Sequence, residues 1–118
     1  METIKINGYK CECNISLNKK EVNYISEQIS DDLKSFSDDA WNWHGQDGAG
    51  IRGGEPYPTH IEKISECKFQ IYYTFPEETA WNDNRNNNET WEKGIVNDVY
   101  IIFEIVEGIR YSIEMVWL

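Results

Sequence analysis

The chain has no run of about eighteen apolar residues, so nothing in it reads as a transmembrane helix. Its first residues, Met-Glu-Thr-Ile-Lys-Ile, lack the basic and apolar stretches of a secretory signal, which sets the expectation of a cytoplasmic protein. Cysteine is scarce: Cys11, Cys13 and Cys67, an odd number that speaks against a disulfide framework. Histidine is scarcer, with only His44 and His60 to serve any nucleophile that needs a base. Cations are few as well. Eleven Lys and Arg face 21 Asp and Glu, a formal net charge of −10. That balance disfavours nucleic acid and anionic membranes as direct partners and favours a basic one, with high solubility as the plainer alternative.

What remains is enough to fold. The 118 residues suit one domain over 1–118, and a hydrophobic fraction of 40% with 14% aromatics can fill its core. The charge is unevenly spread. Residues 1–20 hold four lysines against two glutamates, residues 21–50 seven acids against Lys34, and residues 71–100 six acids against Arg85 and Lys93. This is the pattern of acidic patches rather than a uniform coat.

Asn7-Gly8 is the preferred pair for a tight type I′ hairpin turn, which pairs Ile6 with Tyr9 and Ile4 with Cys11 on one face and leaves Lys5 and Lys10 on the other. Asn18 and Glu21 then form an N-cap and capping-box pair. Behind them Val22, Ile25, Ile29, Leu33 and Phe36 draw one apolar helical stripe, with Glu27, Asp31, Asp32 and Asp38 off it. The helix should stop between Ser37 and Gly45. Five glycines and two prolines between Gly45 and Pro58 predict a loop over 45–60. Alternation through Cys67, Phe69, Ile71, Tyr73 and Phe75 predicts a half-buried strand ended by Pro76. A second polar loop is expected over 77–94, then a hairpin from Val99 to Trp117. In that hairpin a three-residue turn, Val106-Glu107-Gly108, matches Phe103 with Tyr111, Ile101 with Ile113 and Val99 with Met115, and sets Glu104 opposite Arg110. The fold class is therefore α+β: an antiparallel sheet of about five strands with one main helix on one face, in the order β-β-α-β-β-β.

Each chemical motif has a weak point. Gly48-Ala49-Gly50-Ile51-Arg52-Gly53 spells G-x-G-x-x-G, but a helix precedes it and Pro56 and Pro58 follow, the reverse of what a dinucleotide fingerprint requires. Cys11 and Cys13, with His44 or His60, make an incomplete zinc set, and both cysteines lie on the core side of a predicted strand. No cofactor and no metal are expected. His44 and His60 sit in no nucleophile-elbow or Cys-His signature. The expectation is a non-enzyme.

The tryptophans carry more. Trp41 and Trp43 follow the acidic helix beside Asp38 and Asp39. Trp81 and Trp91 bracket the Asn-rich segment 82–88, with Glu77, Glu78, Asp83, Glu89 and Glu92 around them. Singly, each ring could cap the end of a sheet as peripheral core. Together, aromatic anchors within an acidic rim suit a basic protein surface. The partner-binding set expected on this basis is Asp31, Asp32, Asp38, Asp39, Trp41, Trp43, Trp81, Asp83, Glu89 and Trp91.

In small size, strong acidity, Trp-rich loops and lack of a catalytic signature, the chain is similar in general type to bacterial immunity proteins that neutralise toxin domains in bacterial competition. The resemblance transfers no site residues. It implies tight binding to a cognate toxin, often a basic nuclease, with steering by charge and slow release through buried Trp. Two other readings stand beside it: a DNA-mimic inhibitor of a nucleic-acid enzyme from phage or a mobile element, and a small enzyme with a noncanonical site around His44 or His60.

Overall fold

The computed structural model describes residues 2–43, 50–52, 56–75, 80–82, 91–93 and 98–118, with side chains described over 2–36, 56–75, 98–116 and at Leu118. The chain opens as its turn residues dictate. Asn7 and Gly8 both take positive φ, at 52° and 85°, and join strand β1 (Glu2–Ile6) to β2 (Tyr9–Cys13). The register is the expected one, with Ile6 opposite Tyr9 and Ile4 opposite Cys11. Ile6 and Cys11 are buried, while Lys5 and Lys10 pair on the exposed face.

Helix α1 (Lys19–Trp43) begins with the predicted reciprocal cap. The Glu21 amide donates to Asn18 Oδ1 at 2.8 Å, and Glu21 Oε1 accepts from the Asn18 amide at 3.0 Å. Ile25, Ile29 and Phe36 are buried, with Val22 and Leu33 packed at their margin. The helix runs past Ser37 to Trp43, so Trp41 and Trp43 belong to its last turns rather than to a following loop.

Two sheets follow. The larger has six strands in the order β1-β2-β4-β5-β8-β9, adding β4 (Tyr57–Ser65), β5 (Lys68–Thr74), β8 (Val99–Val106) and β9 (Ile109–Trp117). The smaller has the order β3-β6-β7, built from β3 (Gly50–Arg52), β6 (Ala80–Asn82) and β7 (Trp91–Lys93). The α+β class thus stands, with one strand more in the main sheet than expected and one seam of different sense. β2 and β4 run parallel, Glu12 opposite His60 and Cys13 opposite Ile61, because α1 carries the chain back to the starting edge before β4 enters. Beyond the strand, the Asn14 side chain continues this seam: its Oδ1 accepts from the Lys63 amide at 2.9 Å and its Nδ2 donates to the Lys63 carbonyl at 3.2 Å.

The expected loops at 45–60 and 77–94 are therefore corrected by β3, the first residues of β4, β6 and β7. Pro58 sits inside β4, where a register shift between Pro58 and His60 relieves the ladder and where β2 pairs only from His60 onward, so no partner needs a Pro58 donor. Cys67 is corrected as well. It lies exposed between β4 and β5 instead of on the core face of a strand. Phe69, Ile71, Tyr73 and Phe75 do alternate inward as read.

The last hairpin differs most. Glu107 and Gly108, at φ 51° and 77°, form a two-residue turn, so Val106 faces Ile109, Ile105 faces Arg110, Glu104 faces Tyr111 and Phe103 faces Ser112. A bulge between Ile102 and Phe103 then shifts the pairing to Ile102–Glu114 and Ile101–Met115. The three-residue turn is wrong because it assumes that Arg110 and Ser112 must avoid the helix side. Both find partners there. Arg110 Nη1 donates to Gln28 Oε1 at 2.8 Å, and Gln28 Nε2 lies 3.2 Å from Ser112 Oγ.

Both hairpin turns are tied to α1. Asn7 Nδ2 donates to the Ser26 carbonyl at 2.9 Å, and Tyr24 Oη donates to the Gly108 carbonyl at 3.3 Å. The core lies between α1 and one face of the six-stranded sheet, where Phe69 and Phe103 stack at 5.3 Å and Phe36 meets Tyr73 edge-on at 5.2 Å. No helix among the described residues is long and apolar enough to cross a membrane.

Candidate functional site

The ten expected partner-binding residues separate into five groups. Asp31 is exposed and takes part in an ion-pair network: Arg110 Nη2 lies 2.7 Å from Asp31 Oδ2, and Arg110 Nε 3.4 Å from Glu27 Oε2. Asp38, Asp39, Trp41 and Trp43 follow it along the last turns of α1. Trp81 and Trp91 lie on β6 and β7, one register step apart, with Trp81 opposite both Ile51 and Glu92 and Trp91 opposite Asn82. Asp83 and Glu89 lie outside the described residues.

Asp32 must be withdrawn from the set. It is only 5% exposed, one residue from the exposed Asp31. Tyr73 Oη donates to Asp32 Oδ2 at 2.5 Å, and Gln28 Nε2 donates to Oδ1 at 2.7 Å. The reason lies in the helix period. Asp32 is four residues from Gln28 and four from Phe36, so 25-28-32-36 forms a second 3-4-4 series along the same buried face. Burial raises the Asp32 carboxyl to about 6. The Tyr73 and Gln28 hydrogen bonds pull it down, Asp31 adds to the rise and Arg110 opposes it. The Tyr73 hydroxyl is pushed up by burial and then by the neighbouring Asp32 charge.

The three remaining chemical candidates resolve differently. Cys11 and Cys13 are free and buried on the core side, as read. Burial, with a smaller contribution from Cys13, pushes the Cys11 thiol up to about 11, and its Sγ contacts the Pro58 carbonyl at 3.5 Å. His60 stands exposed on the sheet face turned away from α1, with Nε2 3.1 Å from Glu12 Oε2 and Nδ1 3.0 Å from Thr59 Oγ1. His44 lies outside the described residues. Among the described residues, no group of three His, Cys, Asp or Glu is placed to hold a metal ion. The glycine motif is interrupted by β3 at Gly50–Arg52, and α1 precedes that strand rather than following it.

What the topology brings together is the two tryptophan segments. β3 lies alongside α1 and pairs with β6, which pairs with β7. The helix bearing Trp41 and Trp43 and the small sheet bearing Trp81 and Trp91 thus adjoin through β3. Sequence spacing could not show this, because the glycine-rich segment and the two strands β4 and β5 lie between Trp43 and Trp81 in the chain.

One surface feature was missed. The carboxyl-terminal strand β9 is an edge of the main sheet and exposes Ile109, Tyr111, Ile113 and Met115. The signal was available in the run Ile-Arg-Tyr-Ser-Ile-Glu-Met, whose alternate residues are all apolar or aromatic. Pairing them with β8 residues across a buried face concealed it.

Among the described residues, the fold is that of an α+β protein with one helix packed on one face of a six-stranded sheet, beside a three-stranded sheet. Comparison with protein-family models, with curated proteins and with solved structures finds no match to the chain.

Proposed function

We propose that this chain is a binding and inhibitor protein of the immunity type, which neutralises a cognate toxin by covering a basic active or substrate-binding surface. The observation that carries this reading is the coincidence of acid with tryptophan. The formal charge of −10 is concentrated in segments 21–50 and 71–100, and four of the five tryptophans sit in the same two segments. Their adjacency through β3 supports a single composite surface. Carboxylates would speed capture of a basic partner by long-range attraction, and tryptophan burial would slow its release. The withdrawal of Asp32 leaves this reading intact, since Asp31 and the acids of the last helical turns remain.

The test is reconstitution with the protein encoded beside this one. A stable complex that abolishes a toxic nuclease activity is the expected result, with affinity falling as salt rises. A neighbour without toxicity, together with no basic protein bound, would sink the reading. Competition by duplex DNA for the same target would turn it toward a DNA-mimic inhibitor.

A further inference from the structure

We infer that the open edge of β9 accepts an extended, basic segment of a protein partner as a seventh strand of the main sheet. The inference rests on the binding reading above for the class of partner, and adds a second point of engagement on a strand outside segments 21–50 and 71–100.

The two edges of the sheet differ in how they meet solvent. β1 is five residues long and carries Lys5 exposed beside Lys10 of β2. A short strand with lysine discourages pairing with another chain. β9 is nine residues long, has no proline and no lysine, and exposes Ile109 by 56%, Tyr111 by 52%, Ile113 by 48% and Met115 by 46%. Among the described residues, no strand pairs with its outer side.

The ladder phase tells which backbone groups face outward. The Leu118 amide donates to the Asp98 carbonyl at 2.8 Å, so Val116 and Glu114 continue the inward-bonding phase and Met115 and Trp117 face the open side. At the other end the Ile105 amide donates to the Cys67 carbonyl at 2.8 Å, toward β5, so its opposite number Arg110 also faces out. A row of backbone donors and acceptors flanked by large apolar side chains is the template for strand addition.

Charge selects the occupant. Glu27, Asp31, Glu104, Glu107 and Glu114 lie on or beside the β8–β9 hairpin, while its one cation, Arg110, is engaged by Asp31, Glu27 and Gln28. A second copy would bring the same carboxylates against these. A strand alternating basic and apolar residues would bring opposite charge and cover Ile109 and Tyr111 on one face of the sheet or, past the bulge, Met115 on the other.

The test uses the whole protein and a peptide of about ten residues alternating lysine and valine, with a glutamate-for-lysine peptide as control. Backbone NMR should show the lysine peptide shifting and protecting the amides of Arg110, Met115 and Trp117, with no binding of the glutamate peptide. Met115→Pro, which removes an outward donor, and separately the double variant Tyr111→Lys with Ile113→Lys, should each weaken the peptide by about tenfold or more. Shifts confined to the acidic end of α1, equal binding of both peptides, or undiminished binding by the folded lysine double variant would overturn the proposal. So would a concentration-dependent dimer that protects β9 without peptide, which would make the occupant a second copy. A toxin complex that the double variant leaves at full affinity removes strand addition and keeps the inhibitor reading. Peptide addition without any toxin complex does the reverse.

Discussion

The two terminal hairpins of the main sheet share a turn length and little else. β1–β2 turns on Asn7-Gly8, the pair whose side chains tolerate left-handed backbone best, and its apolar residues all face α1. β8–β9 turns on Glu107-Gly108, which puts a long carboxylate side chain at φ 51°. It turns two polar residues, Arg110 and Ser112, toward α1 and leaves apolar ones in solvent. The first hairpin is anchored to the helix by an exposed amide at Asn7. The second is anchored by a buried polar chain running Arg110–Gln28–Asp32–Tyr73. The difference teaches that the two edge strands of one sheet can be held by unlike physics: β1 by burying Ile6 beside a good turn, and β9 by a satisfied hydrogen-bond network through Arg110 and Ser112, while β8 behind it buries Val99, Ile101 and Phe103. A buried network that is fully partnered fixes geometry, and one that loses a member leaves several groups without partners at once.

The strongest way to break this comparison is Asp32→Ala. It strands the Tyr73 hydroxyl in a buried site, leaves the Gln28 amide only its longer contact with Ser112 Oγ, and should lower stability by about 2–4 kcal/mol in urea unfolding near pH 5. Loss of under half a kilocalorie would mean that the network does not hold the second hairpin. Next in size is the dependence on pH. The Asp32 carboxyl lies above its ordinary value of 3.8, at about 6, so the folded protein holds this proton more tightly than the unfolded chain. Its contribution to stability is therefore present below about pH 4, is lost as pH climbs to about 6, and stays level above that. The loss should be on the order of 2–3 kcal/mol, read as the difference between the unfolding free energies of the parent and Asp32→Asn across that window. Glu21 works in the opposite sense. Burial pushes its carboxyl up, but the hydrogen bond to Lys63, the Asn18 amide and the Lys63 charge together bring it below 4.5, so its contribution is lost as pH falls. The difference between parent and variant cancels it.

At the first hairpin, Asn7→Ala should cost about 1–2 kcal/mol, because alanine resists left-handed backbone and the contact with Ser26 is lost. Thermal unfolding of Asn7→Gly, which keeps the backbone freedom alone, divides the two contributions. The smallest effect sharpens the comparison from the other side. Glu107→Asn should raise stability by roughly 0.5 kcal/mol by giving the second turn the residue the first already has. A drop instead would show that Glu107 has a role the turn geometry does not reveal.

The same contrast explains how far the amino-acid sequence could be read. Asn7-Gly8, the Asn18–Glu21 cap and the stripe from Val22 to Phe36 are local signals, each complete within a few residues, and each agrees with the structure. The second register depended on Gln28, more than eighty positions away, accepting from Arg110 and meeting Ser112. A count of apolar residues has no means of placing a guanidinium on a buried face. β4 was hidden because Pro58 argues against a strand until its neighbour on that side is known to begin pairing at His60. At the candidate site, Asp31 was placed correctly in solvent and Asp32 was not. Adjacent helical residues point about 100° apart, and only the series through Gln28 and Phe36 would have separated them. The β9 edge was legible as a pattern but not as an edge, since strand order depends on the whole topology.

The parallel seam between β2 and β4 has a consequence for how the chain reaches this state. Every other junction in the main sheet joins strands that follow one another closely or return after one excursion. Among the described strands of the main sheet, this ladder is where the first hairpin meets the others, through two paired positions and the Asn14 side chain, which reaches Lys63 across 49 residues. Closing it requires α1 to be in place and the loop entropy of that span to be met before any ladder contact rewards it. The β4–β5–β8–β9 meander can assemble from shorter closures. Folding should accordingly proceed with the meander first and the amino-terminal hairpin zipped on last, and hydrogen exchange should find the sheet opening first along that same line.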